Sequence, residues 1–290
     1  MDELERVAKA DFGLELLNRL PVTESFSSAV LSFVATDDRH YVLKRPWAAN
    51  KAEREAAALR LLDSHPAVPA LLGTSRRGND LYLLIEGFDG KPWDKIDQST
   101  PGLLRDLGRS IGLLHQTPAE DFDGKPTWHD LLAANADRYI SAIGPADADL
   151  AEQGRATLKR RLGEVPAADT AVLVHFDLRP GNILVSDQQF VGIIDFEACR
   201  GGHPSMDFFK LWQQVAPHAE GGLTEILSGY RETVLTEQPW MDLDSLDQLM
   251  RIYAAYHGMA GLAWCYIRDN FADGFADANR DLLRLSRGHD

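Results

Sequence analysis

Residues 174–182 read VHFDLRPGN, and residues 192–198 read GIIDFEA. The first stretch places the carboxylate of Asp177 and the amide of Asn182 in a segment whose proline and glycine predict a loop. Asp195 ends the apolar run of the second stretch. Between the two stretches a short polar turn separates two apolar runs, which predicts a hairpin. This order of an Asp, an Asn, a hairpin and a second Asp decides how the chain is interpreted.

The motif has the layout that phosphoryl transfer requires. One Asp orients and deprotonates the acceptor hydroxyl, while an Asn and a second Asp hold the Mg²⁺ that bridges the nucleotide phosphates. His-x-Asp-x-x-x-x-Asn, followed by Asp-Phe, is the kinase-type catalytic and metal pair. Taken alone, His175 and Asp177 would fit an ordinary strand-to-loop junction, so the prediction depends on the whole series of residues.

The chain resembles the aminoglycoside phosphotransferase and choline kinase family, a small-molecule branch of the protein-kinase-like fold. The resemblance covers nearly the whole chain and is strongest in residues 175–185, 192–198 and 202–207. It implies a bilobal α+β fold with a small antiparallel N-terminal sheet, one helix beside that sheet, and a larger, mainly helical C-terminal lobe. The predicted lobes are residues 1–88, a nucleotide-binding lobe ending in a hinge, and residues 89–290, which hold the catalytic loop, the metal site and the acceptor pocket.

The resemblance also implies a role for the polar residues of the motif. Asp177 would be the catalytic base, and Asn182 and Asp195 would be the Mg²⁺ ligands. Arg179 stands two residues after the base, where protein kinases carry a lysine that touches the γ-phosphate. A charge clamp and a surface arginine are both open interpretations of that position.

By the same resemblance, two nearby residues have structural roles and a third differs from the residue that the family commonly has. His175 would brace the catalytic loop, and Asp207 would tie the following helix to that loop. His203 stands where the family commonly has an Asp before proline, so no role is carried over to it.

The early part of the chain predicts a small sheet with one helix. Residues 29–35, 40–44 and 81–86 are strand-like runs, and apolar residues in 50–62 repeat at helical spacing. Beyond a connector at residues 87–95, helical spacing dominates, apart from short strands around the motif.

Lys44 and Glu55 give an independent test of the kinase interpretation. A kinase needs a strand lysine for the α- and β-phosphates and a helix glutamate that holds this lysine. Lys44 ends the second predicted strand, and Glu55 shares the apolar face of the predicted helix, so it is expected to point inward. Glu53 competes for the same role, and a solvated Lys–Glu pair of little energetic weight is the alternative.

Further nucleotide contacts are predicted in two segments. Residues 84–88 resemble the kinase hinge, where the backbone from Glu86 to Phe88 would read the adenine edge. Residues 24–29 occupy the position of the phosphate loop but contain no glycine, although glycine lets backbone amides approach phosphate closely. The hydroxyls of Ser27 and Ser28 are the predicted substitutes.

Composition narrows the class of protein. With 290 residues, 44% of them hydrophobic and 26% charged, the chain is typical of a soluble globular protein. Its net charge of −14 disfavours binding to nucleic acid and to anionic membranes. The acidic start of the chain does not resemble a signal peptide, and Cys199 and Cys265 form no metal-spaced pair. We therefore expect a cytoplasmic monomer or homodimer.

The predicted activity is ATP- and Mg²⁺-dependent phosphorylation of a hydroxyl on a small molecule. An excess of acids in the helical lobe favours a cationic acceptor such as an aminoglycoside or an amino alcohol. These acids include Asp130, Asp137, Asp147, Asp149, Asp269 and Asp273. A metabolic kinase for homoserine, choline or a sugar remains an alternative, as does a non-catalytic nucleotide-binding pseudokinase. A protein kinase is disfavoured because no activation segment ending in Ala-Pro-Glu follows Asp195.

Overall fold

The computed structural model describes residues 2–22, 27–119, 122, 127–167, 171–219, 221–271 and 274–287. Residues 24–26 of the predicted phosphate loop and Asp273 lie outside the described residues. The helices are α1 Glu3–Phe12, α2 Ala49–Leu61, α3 Pro101–Leu114, α4 Trp128–Ala142, α5 Ala148–Arg161, α6 Phe208–Gln214, α7 Gly222–Arg231, α8 Leu243–Arg268 and α9 Phe275–Ser286. The strands are β1 Leu16–Leu20, β2 Ser28–Ala35, β3 His40–Pro46, β4 Leu71–Arg77, β5 Asp80–Glu86, β6 Lys91–Pro92, β7 Val172–Val174, β8 Ile183–Ser186, β9 Gln189–Ile193 and β10 Arg200–Gly202.

Two compact units are built from alternating segments of the chain. The first contains Met1–Thr117, His175–Arg200 and Gln213–Leu235, and the second contains Pro118–Val174, Gly201–Trp212 and Thr236–Asp290. All residues predicted to be catalytic, nucleotide-binding or metal-binding belong to the first unit. The boundary after residue 88, between a nucleotide-binding lobe and a catalytic lobe, stays a prediction.

The N-terminal sheet is antiparallel, with the strand order β1-β2-β3-β5-β4. The predicted hairpin of β2 and β3 is confirmed. Lys44 lies on β3, where it pairs with Val30 of β2 on one side and with Leu83 of β5 on the other. Because both neighbours hold its backbone in the ladder, the position from which the Lys44 side chain starts is fixed.

Helix α1 and strands β1 and β4 were not predicted from the sequence, and α1 is a second helix that packs on this sheet. The side chain of Asp2 caps α1 and exchanges hydrogen bonds with Glu5, and Gly13 ends the helix with φ 68°. Leu4 and Val7 of α1 are buried in the hydrophobic cluster of the sheet. The α+β class itself, with a small antiparallel N-terminal sheet and a mainly helical C-terminal region, is confirmed.

The motif forms a second, smaller sheet with the order β6-β8-β9. Strands β8 and β9 make the predicted hairpin, with Ile183 opposite Ile193. Asp195 follows β9 with φ 71° and begins the short 3-10 turn Phe196–Ala198. The hairpin therefore presents Asn182, which immediately precedes β8, and Asp195 at the same end.

Helices α3 and α7 of the first unit approach each other through glycine. A Cβ added at Gly108 would lie 2.0 Å from the Ile226 carbonyl oxygen, and one at Gly229 would lie 2.0 Å from the Arg105 carbonyl oxygen. Only the absence of side chains at both positions allows this separation of the two backbones.

The C-terminal region is mainly helical, as predicted, and the longest helix of the second unit is α8. Tyr253 and Tyr256 of α8 are buried, so these aromatic side chains serve packing. Among the described residues no helix is both long enough and apolar enough to cross a lipid bilayer.

Candidate active site

Lys44 is the centre of a buried charge cluster in the first unit. Its Nζ lies 2.7 Å from Oε2 of Glu55 and 2.5 Å from Oδ1 of Asp195. The Lys44 residue is only 6% exposed. A lysine buried to this extent requires charged partners, because an unpaired ammonium would lose its hydration without compensation. The strand lysine, the helix glutamate and the carboxylate after the hairpin are thus brought together.

The cluster shifts the protonation of its members. Burial alone would lower the pKa of Lys44, but the carboxylates of Glu55 and Asp195 outweigh it and raise that pKa. Burial raises the pKa of Glu55 to about 7, although Lys44 opposes the shift. Burial would also raise the pKa of Asp195, but Lys44 holds it below its usual value. The lysine therefore stays charged at neutral pH, whereas the carboxyl group of Glu55 gains or loses its proton near neutral pH.

The structure distinguishes between the two candidate glutamates of α2. Glu55 is 2% exposed and accepts a hydrogen bond from Lys44 at 3.0 Å. Glu53 is exposed and pairs with Arg76 at 2.7 Å. Glu55 occupies the inward position because it shares a face with Ala52 and other buried residues of α2.

Asp177 lies in the loop between β7 and β8, and its side chain is 37% exposed. The preceding residue, Phe176, has φ 71°, an uncommon backbone conformation for a bulky side chain. The Oδ2 atom of Asp177 accepts from Nδ2 of Asn182 at 3.3 Å and from Nε of Arg179 at 3.4 Å. An accessible carboxylate oriented by neighbouring donors is the arrangement that a general base requires.

Asn182 joins the loop of Asp177 to the segment of Asp195. Its Nδ2 donates to the backbone oxygen of Asp177 at 2.9 Å, and its own backbone oxygen accepts from the Ile194 amide at 3.0 Å. Because Nδ2 faces Asp177, Oδ1 is the arm of the amide that remains for a cation. Amide and carboxylate oxygens are the ligands that Mg²⁺ prefers, so Asn182 and Asp195 fit this ion chemically.

His175 connects the same two segments. It is fully buried, and its Nε2 lies 2.9 Å from the backbone oxygen of Ile194, next to Asp195. Its ring packs against Phe196 with a centroid distance of 4.7 Å. These contacts are those expected of a residue that braces the loop.

Glu197 is the member of the cluster that sequence reasoning missed. Oxygens of Glu55, Asp195 and Glu197 all lie within 4.8 Å of one another, and Lys44 contacts all three residues. The available sequence signal was the position of Glu197 within the motif, two residues after Asp195. Since Lys44 already supplies a cation to the three carboxylates, their proximity needs no metal to explain it.

Arg179 extends beside the catalytic loop. Its side chain is 42% exposed and packs over Gly181, where a Cβ would lie 2.5 Å from one guanidinium nitrogen. Gly181 therefore makes room for the arginine. The guanidinium is beside Asp177 and accessible from solvent, as a phosphate clamp would have to be.

In the predicted hinge, two backbone amides already donate hydrogen bonds within the protein. The amide of Glu86 donates to Ala70, and the amide of Gly87 donates to His40. The ring of Phe88 lies against Gly192 of β9, where a Cβ would approach to 2.4 Å. The first amide that an adenine edge could use is therefore at or beyond Phe88.

Ser27 and Ser28 mark the described end of the phosphate loop. The backbone oxygen of Ser27 accepts from Trp47, which attaches this end of the loop to β3. The hydroxyl of Ser28 donates to Oε2 of Glu197 at 3.3 Å. In this structure the Ser28 hydroxyl is thus directed to the carboxylate cluster.

Asp207 and His203 belong to the second unit. Asp207 is 1% exposed at the end of the 3-10 turn Pro204–Asp207, and its role toward the catalytic loop stays a prediction. His203 begins that turn and accepts from the amide of Ser205 through Nδ1. A buried capping role accounts for histidine at this position.

Comparison with known proteins identifies relatives of the chain. The family described as "Phosphotransferase enzyme family" matches residues 20–242. No curated protein sequence matches significantly. Three solved structures with the same fold illustrate the likeness. A thermostable mutant of aminoglycoside phosphotransferase APH(4)-Ia, in a ternary complex with ADP and hygromycin B, has 17% identity and a TM-score of 0.78, with both chains fully covered.

The other two have similar coverage. Macrolide 2'-phosphotransferase MphH from Brachybacterium faecium has 20% identity and a TM-score of 0.67, covering 97% of this chain and 96% of its own. A mutant of aminoglycoside 2'-phosphotransferase-IIIa, in its GDP complex, has 16% identity and a TM-score of 0.69, covering 97% and 95%. At these identities the likeness establishes the fold.

Proposed function

The chain belongs to the phosphotransferase enzyme family, and we propose that it moves the γ-phosphoryl group of ATP to a hydroxyl of a small molecule. The observation that carries this proposal is the buried Lys44, which contacts both Glu55 and Asp195 in the unit that also holds Asp177 and Asn182. A buried lysine between a helix glutamate and a carboxylate that follows the catalytic hairpin is the arrangement of kinase-like nucleotide sites.

Each side chain has a distinct task in the proposed reaction. Asp177 accepts the proton of the acceptor hydroxyl as its oxygen attacks the γ-phosphorus, and the bond from that phosphorus to the leaving oxygen of ADP breaks. Lys44 binds the α- and β-phosphates, and Glu55 holds Lys44. Arg179 stabilises negative charge on the transferred group.

The residues present fit a magnesium ion. Asn182 and Asp195 would hold it, and a bound Mg²⁺ would neutralise charge on the nucleotide phosphates. The backbone from Glu86 to Phe88 binds adenine, and Ser27 and Ser28 lie beside the phosphates in this proposal.

The direct test is product formation. Purified protein is incubated with Mg²⁺, ATP and a panel of hydroxyl compounds, and both ADP release and mass gain of the acceptor are measured. Stoichiometric phosphorylation of one acceptor, lost in Asp177→Asn, supports the proposal. Nucleotide binding with no acceptor-dependent ADP release from any panel member would favour the pseudokinase alternative.

For the acceptor we propose a cationic compound such as an aminoglycoside or an amino alcohol. The net charge of −14 supports this, because an acidic surface raises the local concentration of cations. Two of the acids named from sequence are already paired, since Asp137 contacts Arg155 and Lys159 and Asp147 contacts Arg280. The proposal therefore depends on the remaining acids, among them Asp130, Asp149 and Asp269.

Salt dependence separates a cationic acceptor from the metabolic alternatives. At about 0.1 M ionic strength, charges separated by more than roughly 10 Å are screened, so the KM of a cationic acceptor should rise with salt. Choline-like amines and aminoglycosides are compared with homoserine, neutral sugars, macrolides and anionic hydroxy acids. A cationic acceptor would be excluded if a neutral or anionic compound were phosphorylated efficiently without any salt effect and no amine were phosphorylated.

A further inference from the structure

Glu197 lies between two lysines. Its Oε1 atom is 2.8 Å from Nζ of Lys51, and its Oε2 atom is 3.8 Å from Nζ of Lys44. The Glu197 side chain is 7% exposed, whereas that of Lys51 is 42% exposed. A buried carboxylate therefore holds the ammonium of a partly exposed lysine beside the lysine of the proposed nucleotide site.

The place of Lys51 in its helix is unfavourable for a cation. It stands in the first turn of α2, where the positive end of the helix dipole repels positive charge. The N-cap residue, Ala48, provides no side-chain hydrogen bond to that turn. A partly exposed ion pair contributes only about 0–1 kcal/mol to folding, so the pair with Glu197 gives little stability in return.

The charges of the cluster favour a second cation facing the phosphates. Glu55, Asp195 and Glu197 place three carboxyl groups around one ammonium, that of Lys44. A polyphosphate approaching these carboxyl groups is bound more favourably when a cation beyond Lys44 faces it. Lys51 supplies such a cation, and 42% of its side chain is exposed.

Glu197 also contacts the end of the phosphate loop. The Ser28 hydroxyl donates to the same carboxylate, and Arg54 of α2 donates to the Glu197 backbone oxygen at 3.2 Å. One residue is thus attached to β2, β3 and α2 in the first unit. This anchoring fixes the carboxylate to which Lys51 is bound.

We propose that Lys51 is a second phosphate-binding lysine of the nucleotide site and that Glu197 is the positioning residue that holds it beside Lys44. The inference rests on the proposed function and names a further contact in the same site. A lysine that binds phosphate contributes in proportion to the charge it meets, so its loss weakens binding of polyphosphates and leaves the nucleoside unaffected.

The experiment compares adenosine, ADP and ATP by calorimetric titration, in Mg²⁺ and in EDTA. Lys51→Met should weaken ADP and ATP binding about tenfold, the loss expected of one charge-assisted contact, and leave adenosine unchanged. Lys51→Arg should restore most of the affinity. The matched control is Arg76→Met, which removes a cation paired with Glu53 on the same helix, and should bind all three ligands as wild type does. Thermal melting confirms that each variant is folded.

Glu197→Gln tests the positioning role. It should reproduce the polyphosphate-specific loss in both Mg²⁺ and EDTA, and adding Lys51→Met to it should cost little more, because both changes remove the same contact. A loss confined to Mg²⁺, additive with Lys51→Met, would make Glu197 a metal ligand and overturn the inference. If Lys51→Met binds ADP and ATP with wild-type affinity, the inference about Lys51 is wrong and the proposed function stands. If the wild-type protein binds no ATP, the inference and the proposed function are both wrong.

Discussion

Nζ of Lys44 lies closer to Asp195, at 2.5 Å, than to either carboxylate oxygen of Glu55, at 2.7 and 3.0 Å. The proposed metal ligand is therefore the nearest carboxylate partner of the proposed phosphate-binding lysine. Lys44 contacts Oδ1 of Asp195, which leaves Oδ2 of the same carboxylate for a cation.

This arrangement predicts that nucleotide binding depends on a divalent metal through Asp195. ATP should raise the Tm of the wild type more in Mg²⁺ than in EDTA, and Asp195→Asn should abolish the difference. Asparagine is chosen because residue 195 has φ 71°, which asparagine tolerates better than alanine. Equal ATP-induced Tm shifts of the wild type with and without metal would contradict the site.

Asp177→Asn should reduce turnover by about 10²–10⁴-fold with little change in ATP affinity, because the amide keeps the shape but cannot accept the proton. Steady-state rates and calorimetric ATP titration measure the two effects. Asp187→Asn, in the exposed turn between β8 and β9, is the control and should keep wild-type rates. A variant at position 177 that retains half of the turnover would show that the base is misassigned.

The raised pKa of Glu55 predicts a pH dependence of ATP binding. Glu55 holds Lys44 as an ion pair only when it is ionised, so ATP affinity should increase as the pH rises through about 7. Glu55→Gln should remove this step, and Glu53→Gln, on the exposed side of α2, should retain it. A wild-type affinity that is flat between pH 6 and 8 would contradict the prediction.

The same group affects folding stability with the opposite sign. In the folded state the pKa of Glu55 is raised by burial to about 7, whereas the ordinary pKa of a glutamate is 4.5. Between these values the folded state binds more protons than the unfolded state, so the contribution of Glu55 to the unfolding free energy falls as pH rises. Urea unfolding of the wild type and Glu55→Gln at several pH values should show the two curves converging toward low pH and diverging above pH 5.

Gly108→Ala should destabilise the protein by about 1–3 kcal/mol, because the new methyl group would force α3 and α7 apart. Gly102→Ala, in the same helix, is the control, because the nearest atom to a Cβ added at Gly102 is 3.8 Å away. It should be neutral or stabilising by up to about 1 kcal/mol, since alanine favours helix over glycine. Urea midpoints measure both, and equal midpoints would exclude the close approach.

Much of the fold was predictable where residue patterns are strong. The hairpins of β2–β3 and β8–β9 were found because apolar runs flank polar turns. Strands β1 and β4 were missed because none of their residues is fully buried, so neither sequence carries a marked alternation of apolar and polar side chains. Helix α1 was missed although Asp2 and Gly13 mark its two ends.

The candidate site was predictable to a similar extent. The inward position of Glu55 followed from the period of α2, but the pairing of Glu197 with Lys51 did not. These two residues are 146 positions apart, and no local pattern relates such distant charges. Only the fold brings them together, so no local sequence pattern predicts the pair.

The first unit closes only through segments that come late in the chain. Lys44 meets Asp195 after 151 further residues, and α7, which packs on α3 through Gly229, ends at Arg231. On the ribosome, where synthesis proceeds at about 5–20 residues per second, the N-terminal sheet must persist for many seconds while Lys44 lacks its Asp195 partner and α3 is not covered by α7. Nascent chains stalled before residue 195 should therefore be more sensitive to protease and bind chaperones more strongly than chains stalled beyond residue 235.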